Sequence, residues 1–192
     1  MDYYFKERYV NLFTTFGFNL IFGNEDNKEF PIDFLNTLLP EHHQIHNLEF
    51  QKTLREPIRM KCQNKAGAYF MVELQQLNHK FFRNHPDYVE DFPIQRLILS
   101  AGLEPKIQAV YLIGLLNFIF DENKNTEQYL HQVDLPPTDG GHPLTSIYIE
   151  LPKFKKSEDD VVSRLDKWLF IYQHLHELEE PPKFLARVKA EG

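Results

Sequence analysis

Glu73 and Gln75 are the residues of this chain whose types and spacing most clearly suggest chemistry. They alternate with Phe70, Val72 and Leu74, so the segment has the period of two that is typical of a β-strand. Since side chains alternate between the faces of a strand, Glu73 and Gln75 point the same way, onto the more polar face. Two polar groups at such positions of a hydrophobic strand can hold a divalent ion, which prefers oxygen ligands.

Residues 57–75 are predicted to form the β-hairpin that carries this pair. The first arm has apolar side chains at every second position: Ile58, Met60 and Cys62. Residues 64–67 supply the turn, with Gly67 able to take a positive φ. On this pattern alone, the plainest interpretation of Glu73 and Gln75 is that they are polar residues of a half-exposed strand.

The remaining pattern predicts helices and strands in a mixed α/β arrangement. Thr14 or Thr15 is expected to cap a short helix that stops at Gly23, and Ser157 is expected to cap the last long helix. The other predicted helices cover residues 27–39 and 78–101 and a short segment after Pro181-Pro182. The predicted strands beside the hairpin are 45–50, 107–120, 129–135 and 144–151, with a turn at 136–143.

Composition indicates one globular domain. The chain has 192 residues, of which 42% are hydrophobic, enough for a single core. One cysteine excludes an internal disulfide and fits a reducing compartment. The start of the chain lacks the pattern of a signal peptide, and the longest apolar run, 109–120, is too short for a bilayer. We therefore expect a cytoplasmic protein without membrane contact.

The net charge and the local charge pattern give opposite indications about nucleic-acid binding. A net charge of −7 is the wrong sign for broad attraction to phosphates. A local basic run is the exception, and it contains Lys52, Arg55, Arg59, Lys61 and Lys65. This run is either a solvated surface or a DNA-facing one, and the pattern leaves both open.

Several separated segments, in the right order, resemble the PD-(D/E)XK nuclease superfamily and, within it, the recombination-promoting nuclease / putative transposase family. They are the Glu73-Leu74-Gln75 element, residues 8–23, 33–40 and 150–154, and Trp168. The resemblance implies an α/β, restriction-endonuclease-like domain over 1–192, with a mixed central sheet flanked by helices. Its core would cover about 13–152, and its C-terminal helices 157–190.

The same resemblance implies Mg²⁺-dependent hydrolysis of DNA phosphodiesters, with catalytic carboxylates on both hairpin strands. Glu73 and Gln75 match the second strand. Arg59 stands where the first strand of the family carries Asp. Three further positions depart from the pattern: Thr15 replaces an acidic residue, Asn19 replaces a Lys, and His85 lies where a basic residue is usual.

The prediction of whether the site is catalytic depends on Arg59. At ~4–5 Å and an effective dielectric of ~20, a guanidinium and a divalent cation repel by roughly 7–8 kcal/mol. We therefore expect Arg59 to form a bidentate pair with Glu73 in place of the metal. The sequence then predicts a degenerate, non-catalytic module of this nuclease and transposase family, binding no metal.

Such a module would bind DNA through Lys52, Arg55, Lys61 and Lys65, or bind protein as a homodimer or as a heterodimer with an active relative. The alternative is a weak or relocated Mg²⁺-dependent endonuclease that uses Glu73, Gln75 and another carboxylate such as Glu56. A third possibility is a stable fold with no present role.

Overall fold

The computed structural model describes residues 9–51, 57–78, 106–120, 123–135 and 142–186. The chain forms two compact units, one made of residues 38–153 and the other of residues 1–37 together with 154–192. The helix predicted at 78–101, which contains His85, falls almost wholly outside the described residues, as does most of the turn predicted at 136–143.

The first unit is built on a six-stranded sheet with the order β1-β2-β3-β4-β6-β5. The strands are β1 (Ile45–Gln51), β2 (Ile58–Asn64), β3 (Tyr69–Leu77), β4 (Ile107–Leu116), β5 (Leu130–Leu135) and β6 (Leu144–Glu150). The central strands β3, β4 and β6 run parallel, and the outer neighbours pair antiparallel. This mixed open sheet confirms the predicted α/β, restriction-endonuclease-like fold class.

The predicted hairpin is present as β2 and β3, with Arg59 opposite Glu73 in the antiparallel register. Its turn closes as the sequence predicts, since Gly67 has a φ of 85°. The Asn64 side chain accepts a hydrogen bond from the backbone N–H of Ala68 at 2.9 Å. A tight, locally encoded turn fixes the register, and the register fixes which side chain faces Glu73.

Burial of β3 differs from the alternation-based expectation of a half-exposed strand. Phe70, Val72 and Leu74 are buried on one face as predicted, but Glu73 and Gln75 on the other face are buried too. The reason is position in the sheet, because β3 lies between β2 and β4 and has parallel pairing on one side. The strand predicted at 107–120 is likewise covered on both faces, although it ends at Leu116.

The described part of the second unit contains four α-helices: α1 (Thr15–Phe22), α2 (Glu29–Leu35), α3 (Arg164–His174) and α4 (Lys183–Ala186). Thr14 caps α1, which ends at Gly23 as predicted. Helix α2 is shorter at both ends than the predicted 27–39. Short 3₁₀ turns occur in both units: Glu41–His43 and Leu151–Lys153 lie in the first, and Glu25–Asn27 and Leu175–Glu177 lie in the second. None of the helices in the described residues is long and apolar enough to cross a bilayer.

Helix α3 begins six residues later than predicted, so the assignment of Ser157 as its cap is wrong. Ser163 is the cap: its hydroxyl accepts from the Asp166 backbone N–H at 3.0 Å, and the Asp166 carboxylate accepts from the Ser163 N–H at 3.1 Å. Ser157 instead donates to the Asp160 carboxylate. A reciprocal capping box satisfies two helix-end donors at once, which favours the later start.

Candidate active site

Glu73 and Arg59 form an ion pair across the β2–β3 hairpin. Arg59 Nε donates to Glu73 Oε1 at 2.5 Å. The Glu73 side chain is 1% exposed and that of Arg59 is 20% exposed, so the carboxylate is enclosed while the guanidinium still reaches solvent. The predicted pairing is therefore present, but the predicted bidentate geometry is wrong, because Glu73 Oε2 has no hydrogen-bond partner among the described residues.

Burial dominates the electrostatics of Glu73. Removal from water raises the pKa of this carboxyl above its ordinary value, and the attraction and hydrogen bond of Arg59 offset only part of that effect. A raised pKa means that the site favours the neutral form of Glu73 more than water does. The single guanidinium contact does not fully compensate the enclosed negative charge.

Two further polar atoms on this face of the sheet are buried without a hydrogen-bond partner in the part of the chain that the structure describes. They are Gln75 Nε2 and Ser146 Oγ. Ser146 lies two strands away from Glu73, since Leu112 of β4 is opposite both of them in the register. Buried polar groups without partners are uncommon in native proteins, and they concentrate at functional sites. Ser146 carried no signal in the sequence, because only strand pairing brings it onto this face.

Of the four predicted DNA-binding residues, two lie within the described part of the chain. Lys61 lies on β2 on the same face as Arg59, with its Nζ 5.1 Å from the ring centroid of Tyr69, and Lys65 is exposed at the hairpin turn. Lys52 and Arg55 lie outside the described residues, as does Glu56. Of the predicted basic run, the described part therefore holds one cation beside the hairpin face and one at its tip.

Thr15 and Asn19, two of the positions that depart from the family pattern, are exposed on α1 in the helical unit. The Asn19 side chain donates to the Thr15 carbonyl at 2.9 Å, a contact within the helix. These two positions stay sequence-based predictions, and so does His85, which lies outside the described residues.

The sheet also contains a second buried glutamate, which the sequence pattern did not single out. Glu150, at the end of β6, is completely buried. Its Oε1 accepts from the Phe120 backbone N–H at 2.7 Å and from the Asn123 side chain at 3.3 Å. Its Oε2 contacts His131 Nε2 at 3.0 Å and Lys153 Nζ at 2.7 Å.

Donors around Glu150 set its ionisation. Burial alone would raise its pKa, but hydrogen bonds led by that of Lys153 outweigh burial and hold the pKa below its ordinary value. Lys153 also donates to the backbone carbonyls of Asn123 and Gln128. Glu150 and Lys153 therefore tie the segment that leads into β5 to the end of β6. The available signal was an acidic residue directly after an apolar strand, with a cation three residues later.

A family model for the PD-(D/E)XK nuclease family transposases matches residues 12–190. Since the match covers nearly the whole chain, the protein belongs to the PD-(D/E)XK nuclease family of transposases. Searches of the curated proteins and of the solved structures each found no significant match.

Nucleases of this family generally depend on divalent metal ions, so the residues present can be tested against one. The hairpin offers one carboxylate, and one of its oxygens is already held by Arg59. Among the described residues no group of three acidic, histidine or cysteine side chains is arranged to hold an ion. A hard cation needs several anionic or neutral oxygen ligands, whereas a guanidinium supplies none. The described hairpin residues do not fit a divalent metal.

Proposed function

We propose that this chain is a PD-(D/E)XK family protein whose nuclease site is disarmed and whose fold serves as a binding module. The observation that carries the proposal is the Arg59–Glu73 contact of 2.5 Å. Arg59 neutralises the carboxylate that a metal would need, and its own charge opposes a second cation in the same place. The guanidinium thus takes the electrostatic role of the ion without any of its chemistry.

DNA is the first candidate for what such a module binds. Lys61 and Lys65 project from the hairpin, and Arg59 is partly exposed on the same arm. Cations of this kind neutralise backbone phosphates, but the net charge of −7 restricts attraction to this local region. We therefore expect weak, strongly salt-dependent binding, which the Lys61→Ala/Lys65→Ala double variant should weaken by about 10-fold at low salt, as measured by fluorescence anisotropy.

The second candidate function is a weak metal-dependent endonuclease that uses Glu73 and Gln75. One observation favours it: Glu73 Oε2 and Gln75 Nε2 are buried and have no hydrogen-bond partner within the described segments, and a bound ligand is one explanation for such groups. This reading requires Arg59 to swing away from Glu73 into solvent and a second carboxylate to arrive from elsewhere in the chain.

Cleavage assays separate the two functions. Supercoiled and single-stranded DNA are incubated with Mg²⁺ or Mn²⁺ and the wild type, Arg59→Asp, Arg59→Asn or Glu73→Ala. The disarmed site predicts no cleavage by the wild type, and cleavage by Arg59→Asp at least about 100-fold above background, since a second carboxylate permits metal catalysis. Arg59→Asn is the matched control, because it removes the cation without supplying a ligand.

Wild-type cleavage that disappears in Glu73→Ala would refute the disarmed site and establish the endonuclease. If Arg59→Asp folds, as judged by circular dichroism, and still neither cleaves DNA nor binds Mn²⁺ by calorimetry, then Arg59 is not the residue that prevents metal binding and cleavage. Cleavage by the Arg59→Asp/Glu73→Gln double variant would show that the activity does not come from this hairpin.

A further inference from the structure

A cavity of about 540 Å³ lies within the helical unit. Helices α1, α2, α3 and α4 all contribute to its lining, which is mostly apolar and includes Leu12, Ile21, Phe30, Trp168, Ile171 and Phe184. Sites for small molecules in proteins typically measure roughly 300–1,000 Å³ and have such apolar and aromatic walls. The volume and the lining therefore fit a small ligand.

The volume also restricts what kind of ligand the cavity can hold. A docked protein helix with its side chains is about 10–12 Å wide and occupies on the order of 500 Å³ per turn. The cavity thus has room for about one turn, which is too little for a helix of a partner protein to bury a face. A small organic molecule suits the space better.

Trp168 forms the aromatic wall of the cavity. Its indole N–H donates to Asp33 Oδ2 at 2.6 Å, so the polar atom of the ring is satisfied. The Phe30 ring meets Trp168 edge-on, with ring centroids 6.4 Å apart. Phe30 and Leu185, which also line the cavity, remain 37% and 44% exposed. A ligand with a flat, apolar body would cover these side chains and contact the aromatic rings.

Four charged side chains line the cavity, and three of them are already compensated. Asp33 pairs with Arg164 and accepts from the Trp168 N–H. Glu29 stands in the first turn of α2, where the helix dipole favours a carboxylate. The charge that remains is the ammonium of Lys167.

Lys167 makes no ion pair in the part of the chain that the structure describes. Its Nζ lies 5.8 Å from the ring centroid of Phe184, a wall of the cavity. Asp166, its neighbour on α3, is instead paired with Lys156 at 2.8 Å. A hydrogen bond between an ammonium and an anion is stronger than one between neutral groups. The acidic group of a ligand would supply the counter-charge that Lys167 lacks.

We propose that the cavity binds a small organic anion with a flat, largely apolar body. The body lies against Trp168 and Phe30, and the carboxylate or sulfonate of the ligand pairs with Lys167. All of the lining residues belong to the helical unit, so this binding does not use the Arg59–Glu73 pair.

Two fluorescent probes test the proposal on the full chain. Anilinonaphthalene sulfonate combines flat apolar rings with one anionic group, and phenylnaphthylamine has the same rings without the sulfonate. Trp168 is the one tryptophan of the chain and lines the cavity, so energy transfer from Trp168 to a probe reports binding at this site. We expect saturable transfer to both probes.

Variants separate the charge from the apolar contact. Lys167→Met keeps an unbranched side chain, so it should weaken sulfonate binding at least about 10-fold and leave binding of the amine within about 2-fold. Lys167→Gln should cause the same loss. Phe30→Ala should weaken both probes by about 3-fold or more, because it removes part of the wall that contacts the rings. Lys155→Met removes an exposed lysine outside the cavity lining, and this matched control should change neither probe.

Circular dichroism of each variant checks that the fold is unchanged. Transfer that does not saturate would overturn the proposal, and so would Lys167 variants that bind the sulfonate as tightly as the wild type. A dimer in sedimentation velocity that the probe dissociates would overturn it too, because the cavity would then hold a second copy of the chain.

Discussion

Glu73 and Glu150 are both buried glutamates of one sheet, yet they differ in how many hydrogen-bonding partners surround the carboxylate. Glu150 is contacted by two side-chain nitrogens at one oxygen and by two N–H donors at the other. Among the described residues, Glu73 has one partner, Arg59, and its other oxygen has none. The pKa of Glu150 is accordingly held below its ordinary value, and the pKa of Glu73 is raised above it.

This difference separates a carboxylate that the fold needs from one that the fold tolerates. A buried charge stabilises a protein only where hydrogen bonds replace the lost water, as they do around Glu150. At Glu73 the replacement is incomplete, because Arg59 contacts only one of the two carboxylate oxygens and offsets only part of the effect of burial.

The largest expected effect is at Glu150. Glu150→Ala should lower the free energy of unfolding by about 3–5 kcal/mol, because it leaves the buried Lys153 ammonium with neutral acceptors in place of its carboxylate partner and removes the acceptor of the Phe120 N–H. Urea denaturation measures the loss, and Glu49→Ala on the exposed edge of the sheet serves as the control. A loss below about 1 kcal/mol would remove the contrast with Glu73.

Glu73→Gln is expected to stabilise the protein, in contrast to Glu150→Ala. The substitution keeps the shape but removes the poorly compensated charge, so we expect the free energy of unfolding to increase at pH 7. Arg59 is partly exposed and can turn to solvent. Thermal unfolding at matched pH is sufficient to test this. A clear loss of stability would mean that the Arg59 pair outweighs the cost of burial.

The contributions of Glu150 and Glu73 to stability should depend on pH with opposite signs. Glu150 has a lowered pKa in the folded state, so its contribution to stability is present above about pH 4.5 and is lost as the pH falls through the folded value. Glu73 has a raised pKa, so its contribution is present below about pH 4.5 and is lost as the pH rises through the folded value.

The advantage of Glu73→Gln over the wild type should therefore grow as the pH rises above about 4.5, whereas the deficit of Glu150→Gln should shrink as the solution is acidified below about pH 4.5. A series of urea titrations from pH 3 to 8 measures both slopes. Parallel slopes for the two variants would contradict the assignment of opposite pKa shifts.

Local sequence predicted most of the secondary structure because its signals are local. The hairpin turn at Gly67, the cap at Thr14 and the end of α1 at Gly23 depend on residues that are neighbours in the chain. The start of α3 was predicted too early because two serines compete for the cap. The reciprocal bond of Ser163 with Asp166 decides between them, and Ser157 does not form it.

What the sequence by itself determined about the site is the identity of its central pair. The spacing across a tight turn places Arg59 opposite Glu73. Only the tertiary structure decided that Glu73 is enclosed, that Ser146 shares its face, and that Glu150 is fully compensated while Glu73 is not. Burial and hydrogen-bond partners come from strands distant in the sequence, and no pattern within one strand records which neighbours the sheet will supply.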